Sequence, residues 1–239
     1  HLQRVRPDEP DAAEVLLFSD LLLRAARQAM KAAAIHSALG YLITVRSLTH
    51  SQRWQQHAAI SYEAGVLQAQ CLILDAQLEP ASRVLAELLE HIDAVVQRAA
   101  IYMLKVELQV LSSCYREAIA TALEGLRMFG IRIAPQIEGE AIEQRYQRLL
   151  HTLANRSIAS LIELPLMQEA SFEAAVGMLA SLIAPASFTD QDVLFVVACE
   201  MVQLSLDYGI CAASASGFAW FGVVLAQRQG LYQEGAQYA

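Results

Sequence analysis

The chain has 239 residues, 55% hydrophobic and 18% charged, with a mean hydropathy of +0.33; so much apolar surface must be buried, which excludes a disordered chain. Lys and Arg number 17 against 25 Asp and Glu, a net charge of −8. A nucleic-acid binder needs a basic footprint, and the densest one here, Arg4 and Arg6, sits beside Asp8, Glu9 and Asp11.

Eleven Gly and six Pro are few for this length and argue against a turn-rich β fold. Residues 11–28 carry Val15, Leu16, Phe18, Leu22, Leu23 and Ala26 at the three-to-four spacing of an amphipathic helix. Residues 32–48 follow with Ile35, Ala38, Leu39, Leu42 and Ile43, and residues 54–77 with Ile60, Ala64, Leu67, Cys71 and Leu74. Pro80 opens a helix to His91 from a first-turn position, where its missing N–H costs nothing. Asp93 is placed to cap the next helix, to about Ser112, and residues 115–129 stop at Gly130, a C′ glycine.

Residues 131–139, with Pro135 and Gly139, interrupt the pattern. Helix resumes over 140–155 and 157–164, stops at Pro165, and runs from 171 to 183 before Pro185. Thr189 is the expected N-cap of a helix to Tyr208, with Asp190 and Asp192 favouring its dipole. Residues 212–228 and 231 onward close the chain. The reading is all-α, about eleven helices in antiparallel pairs and no sheet.

The helices are of similar length with short joints, as in a repeat array. Tyr115-Arg116-Glu117-Ala118-Ile119, with Ala122 and Leu126, resembles the opening of the second helix of a tetratricopeptide repeat. Leu78-Glu79-Pro80-Ala81 stands 37 residues earlier in the same register, and Tyr232-Gln233-Glu234-Gly235 stands 117 residues later. The small residue at Ala81, Ala118 or Gly235 allows two helices to approach closely. Residues 1–239 are therefore read as one TPR-like solenoid domain, with clearer pairs over 1–130 and a degenerate continuation over 140–239. The expected packing positions are Ala81, Tyr115, Ala118, Ala122, Leu126, Gly130, Tyr232 and Gly235.

Chemistry-bearing motifs are missing. There is no GxxxxGK[ST] or GxGxxG phosphate loop, no HExxH and no GxSxG elbow. Glu87 and His91, at i and i+4, offer two metal ligands but read as a solvated helix end. Glu138, Glu140 and Glu143 read as a solvated helix N-terminus, and Trp54, Tyr62, Tyr102 and Trp220 as packing. Cys71, Cys114, Cys199 and Cys211 form no CxxC pair, sit in apolar runs and are expected to be buried thiols of a reducing compartment. Residues 1–11 lack the apolar region of a signal peptide. Residues 208–227 carry no charge and are long enough to span a bilayer, but their glycines and serines and the lack of a Lys/Arg excess on either side point to a buried helix.

Several phrases in order resemble the helical region that follows the ATPase module in large bacterial signalling proteins combining a serine/threonine kinase, an ATP-binding module and a sensor histidine kinase. They are Ala34 to Leu42, Trp54, Tyr62-Glu63, Tyr115 to Ile119, Gly125-Leu126, Gly130-Ile131, Leu161 to Met167, Met201 to Gly209, and Ser214 to Gly222. The chain departs from that pattern at Ile35, where an aromatic is usual, at Glu200, where a Lys is usual, and in a loop one residue longer at 131–135. The family's catalytic motifs lie outside this region, so no catalytic residue and no cofactor carries over. The resemblance implies a cytoplasmic, non-catalytic scaffold, cut from a longer protein, that relays signals between an ATPase and a sensor/kinase output. Its partners are domains of the same chain or other proteins, neither nucleic acid nor a membrane. A ligand-sensing helical domain of an ATPase-type transcriptional regulator is the second reading. An uncovered terminal repeat predicts a C-terminal end that forms a two-fold dimer or is the least stable part.

Overall fold

A computed structural model describes residues 12–49, 54–134, 136–154, 156 and 158–238. The charge cluster from Arg4 to Asp11 and Pro135 lie outside the described residues. Among these the chain is all-α. The described residues contain eleven α-helices and one 3-10 helix, and the chain falls into two compact units, His1–Ile92 and Asp93–Ala239.

The first unit holds α1 (Ala12–Lys31), α2 (Ile35–Leu48), α3 (Ala58–Leu74) and α4 (Leu78–His91). Each helix packs on the next, and α1 also touches α3. Leu23, Ala26, Leu42, Val45, Ala64, Ala69, Leu85 and Leu88 form the core. Pro80 is the third residue of α4, inside the first turn as expected.

The second unit begins with α5 (Val95–Leu111) and α6 (Tyr115–Arg127), continues through α7 (Gly139–Leu153) and a 3-10 helix (Ile158–Glu163), and then runs through α8 (Ala170–Thr189), α9 (Gln191–Tyr208), α10 (Ser214–Gln229) and α11 (Tyr232–Gly235). The helix α8 packs on both α5 and α6, α9 on α8 and α10, and α10 on α11. The stack therefore passes from α6 directly to α8. Among the described helices, α7 makes its substantial contact with α9.

Three joints repeat one backbone turn. Ala33, Ala76 and Ser113 each take a left-handed conformation, with φ of 56°, 57° and 59°. In each, the following amide bonds back across the helix end: Ala34 N–H to the Ala29 carbonyl, Gln77 to Leu72 and Cys114 to Gln109, all at 2.8 Å. This is the six-to-one bond of a Schellman motif, which satisfies carbonyls left open at the helix end. The next helix starts two residues after the left-handed one. Its fourth residue is a fully buried alanine, Ala38, Ala81 or Ala118. Gly230, at φ 69°, also stands two residues before its helix, α11, with buried Gly235 at the corresponding place, but there the bond is five-to-one, from its own N–H to the Ala226 carbonyl at 3.2 Å.

Several expectations are corrected. Pro185 does not end a helix but lies buried inside α8. Its missing N–H deprives the Ser181 carbonyl of a donor, at a cost of about 3 kcal/mol. Met178, Leu179 and Leu182 are fully buried, and at roughly 1.5–3 kcal/mol per side chain their burial outweighs that cost. The N-cap of α9 is Asp190, not Thr189: its carboxylate accepts from the Asp192 and Val193 amides at 3.1 and 3.0 Å. Thr189 instead donates to the Pro185 carbonyl inside α8. Asp93 does not cap α5, whose N-cap is Ala94 without a side-chain bond.

The uncharged run 208–227 is broken rather than helical throughout, because α9 ends at Tyr208 and α10 starts at Ser214. Between them Gly209 has φ 101° and ψ 176°, a region only glycine occupies readily. Here the Ile210 N–H donates to the Pro165 carbonyl, and the Met167 N–H to the Ile210 carbonyl, both at 2.8 Å, forming an isolated bridge without a sheet. Among the described residues the one helix long and apolar enough to cross a membrane, by length and composition, is α8; under half of its apolar window is buried, and it packs on α5, α6 and α9. Cys71 and Cys199 are buried as expected, but Cys114 is exposed and Cys211 half-buried, because both sit in the short joints between helices.

Candidate functional site

A concavity in the second unit is built by α7, α9 and the turn after α6. Ile142, Tyr146, Leu149 and Leu153 form the apolar stripe of α7 that rests on α9, and the Tyr146 ring meets Phe195 edge-on at 5.5 Å. With that stripe facing α9, Arg145 and Arg148, three residues apart, share one flank of the helix. The chain leaving α6 turns at Gly130, φ 76°, and anchors through Ile133, which is 5% exposed. The Arg132 carbonyl is thereby brought to α7.

Arg145 is held at two points. Its Nε donates to Glu200 Oε1 at 2.8 Å and its Nη2 to the Arg132 carbonyl at 2.6 Å. Both side chains of the ion pair are largely covered, at 22% and 17% exposure, so water screens the pair less than a surface one. The cleft around it is about 360 Å³ and is lined by Arg132, Gln144, Arg145, Arg148 and Glu200 beside the small apolar surfaces of Gly130, Ile131 and Ala141. Arg132 and Arg148 have exposed side chains and no carboxylate partner among the described residues. Three guanidinium groups against one carboxylate make this a positively charged recess in a chain of net charge −8.

Neighbouring groups leave little room for other chemistry. Cys199, behind Glu200, is 2% exposed; burial first, and the Glu200 charge second, push its thiol up to about 12, so it is no nucleophile at neutral pH. Gln203 donates to Asp207 at 3.0 Å and faces the Thr152 hydroxyl at 3.4 Å. Glu87 is paired with Arg46 and His91 packs against the Trp54 ring at 4.6 Å, so those two do not meet as metal ligands. Among the described residues no group of three or more His, Cys, Asp or Glu side chains is arranged to hold a metal. Glu140 and Glu143 accept from Gln144 and Gln147 on the exposed surface of α7.

The sequence-derived packing positions separate into two kinds. Ala81, Ala118, Ala122 and Leu126 are fully buried, and Tyr115 stacks on Phe188 at 5.2 Å. Gly235 lies so close to α10 that a Cβ there would stand 2.4 Å from the Gly222 carbonyl oxygen. By contrast Gly130 is exposed and Tyr232 is 71% exposed, so neither packs. Sequence reading missed the copy at Ile35–Ala38, whose buried alanine follows the same turn. It also missed the arginine cleft: Gly130, Ile131, the 131–135 loop and Glu200 are named from the sequence, but not as parts of one site, and Arg145 and Arg148 are not named. Comparison with protein-family models, with curated proteins and with solved structures found no match.

Proposed function

We propose that this chain is a non-catalytic helical-repeat scaffold of a bacterial signal-transduction protein. It relays between an ATPase module and a sensor/histidine-kinase output through domains of its own chain or protein partners. It works in the cytoplasm, takes no cofactor and engages neither nucleic acid nor a membrane. The observation that carries the reading is the turn at Ala33, Ala76 and Ser113, each followed five residues later by a buried alanine. A helix pair built this way has little chemistry of its own and serves by presenting surfaces between neighbours. The ordered resemblance to signalling proteins supplies the rest. The exposed Tyr232 suits self-association at the C-terminal end.

The second reading, a ligand-sensing helical domain of a transcriptional regulator, is favoured by the positively charged cleft. The coding sequence on either side of this segment separates the two. An upstream ATPase with a downstream histidine kinase supports the scaffold, and a downstream helix-turn-helix supports the regulator. Steady turnover of ATP by the purified chain would overturn the non-catalytic reading.

A further inference from the structure

We propose that the α7–α9 cleft is a binding site for a dianionic phosphate group, free or carried by a small hydrophilic phosphomonoester. The inference does not depend on the scaffold reading.

Charge comes first. Arg145 is neutralised by Glu200, which leaves Arg132 and Arg148 as two unpaired guanidinium groups on the rim of one recess. A phosphate monoester carries a charge of about −1.5 to −2 at neutral pH, which matches them. Arginine forks present paired N–H donors that fit phosphate oxygens, an arrangement a lysine does not offer. Pre-organisation comes second. The salt bridge and the Arg132 carbonyl fix Arg145, and Arg148 is one helical turn away on the same stiff element. The recess is thus shaped before any ligand arrives, and the partial burial of the Arg145–Glu200 pair in its wall keeps water from screening the field there fully.

Size and lining narrow the class. A volume of about 360 Å³ exceeds a bare phosphate and suits a small molecule. No aromatic ring lines it, so a nucleobase has nothing to stack on, and the polar wall favours a hydroxylated body.

The test uses the purified chain at constant ionic strength and isothermal titration with inorganic phosphate, glucose 6-phosphate, glucose and ATP. Phosphate or glucose 6-phosphate is expected to bind with Kd on the order of 1 mM or tighter, while glucose does not bind. Tighter binding of the sugar phosphate assigns the whole cleft to a phosphomonoester, and equal binding assigns it to the free oxyanion. The double variant R132A/R148A, which removes two exposed side chains, should weaken binding about tenfold or more. Glu200→Gln removes the competing carboxylate without changing shape and should tighten it about threefold, an effect general salt screening does not produce. Absence of binding by both phosphate and glucose 6-phosphate at about 10 mM, undiminished binding by the double variant, or equal displacement by chloride would each overturn the proposal. ATP binding tighter than both phosphates would overturn the small-ligand assignment.

Discussion

Replacing Gly209 by alanine is expected to open the joint between α9 and α10. The residue has φ 101° and ψ 176°, where an L-residue carries about 1–3 kcal/mol of backbone strain. Its Cβ would lie 2.5 Å from the Pro165 carbonyl oxygen and 3.0 Å from the Met167 nitrogen, both main-chain atoms that cannot rotate aside. Relief means withdrawing the Pro165–Met167 segment, which breaks two 2.8 Å backbone bonds worth about 0.5–1.5 kcal/mol each. Together these give a loss of about 2–6 kcal/mol and a fall in Tm of order 10 °C. Urea unfolding gives the energy, and native-state hydrogen exchange at Met167 and Ile210 shows whether the bridge is the part that opens. Gly40→Ala is the control: it sits in the interior of α2 with nothing within 4 Å of the added Cβ, and should gain about 0.5–1 kcal/mol. A Gly209→Ala protein with the wild-type midpoint and both amides still protected would refute this account of the joint.

Ala118→Leu should cost about 1–3 kcal/mol by overpacking the α6 interface, and an unchanged melting temperature would show the site to be loosely packed. Ala33→Gly, Ala76→Gly and Ser113→Gly relieve a left-handed strain of about 1–2 kcal/mol and forfeit about 0.5–1 kcal/mol of unfolded-state restriction, so each should gain up to about 1.5 kcal/mol in chemical denaturation. Destabilisation by all three would contradict the shared turn. A maleimide at neutral pH should label exposed Cys114 first and Cys199 only on unfolding, as peptide mapping would show. Because the Cys199 thiol is raised from 9.0 to about 12, the unfolded chain loses its proton first on alkalinisation. Its contribution to stability is therefore full below pH about 9 and declines toward pH about 12, an effect Cys199→Ala should remove.

Helix positions were legible in the sequence because apolar spacing records which face is buried, and the buried sets of α4 and α6 follow that spacing. Tertiary packing was not legible. It carries Pro185 within a helix that local rules end, and it decides between two adjacent caps, Thr189 and Asp190. The repeat was only half visible. Its small residues at Ala81 and Ala118 stand out, but a left-handed turn is usually marked by glycine, and here Ala33, Ala76 and Ser113 occupy it. The pair α8 and α9 meets at Asp190, in extended backbone at φ −152°, so no sequence copy of the turn exists there. The cleft draws on Arg132, Arg145, Arg148 and Glu200, three separate stretches brought together only when α7 settles on α9.

The residues that follow the left-handed positions, Ala34, Gln77, Cys114 and Leu231, share φ between −86° and −88° and ψ between 60° and 66°. Their side chains have nothing in common. Each joint therefore presents the same connector to whatever helix precedes or follows it. Exchanging the two joint residues of one turn for those of another is therefore expected to leave the path of the backbone unchanged. What the joints hold in common is a pair of torsion angles and a buried small residue four positions on, while the letters that spell them differ.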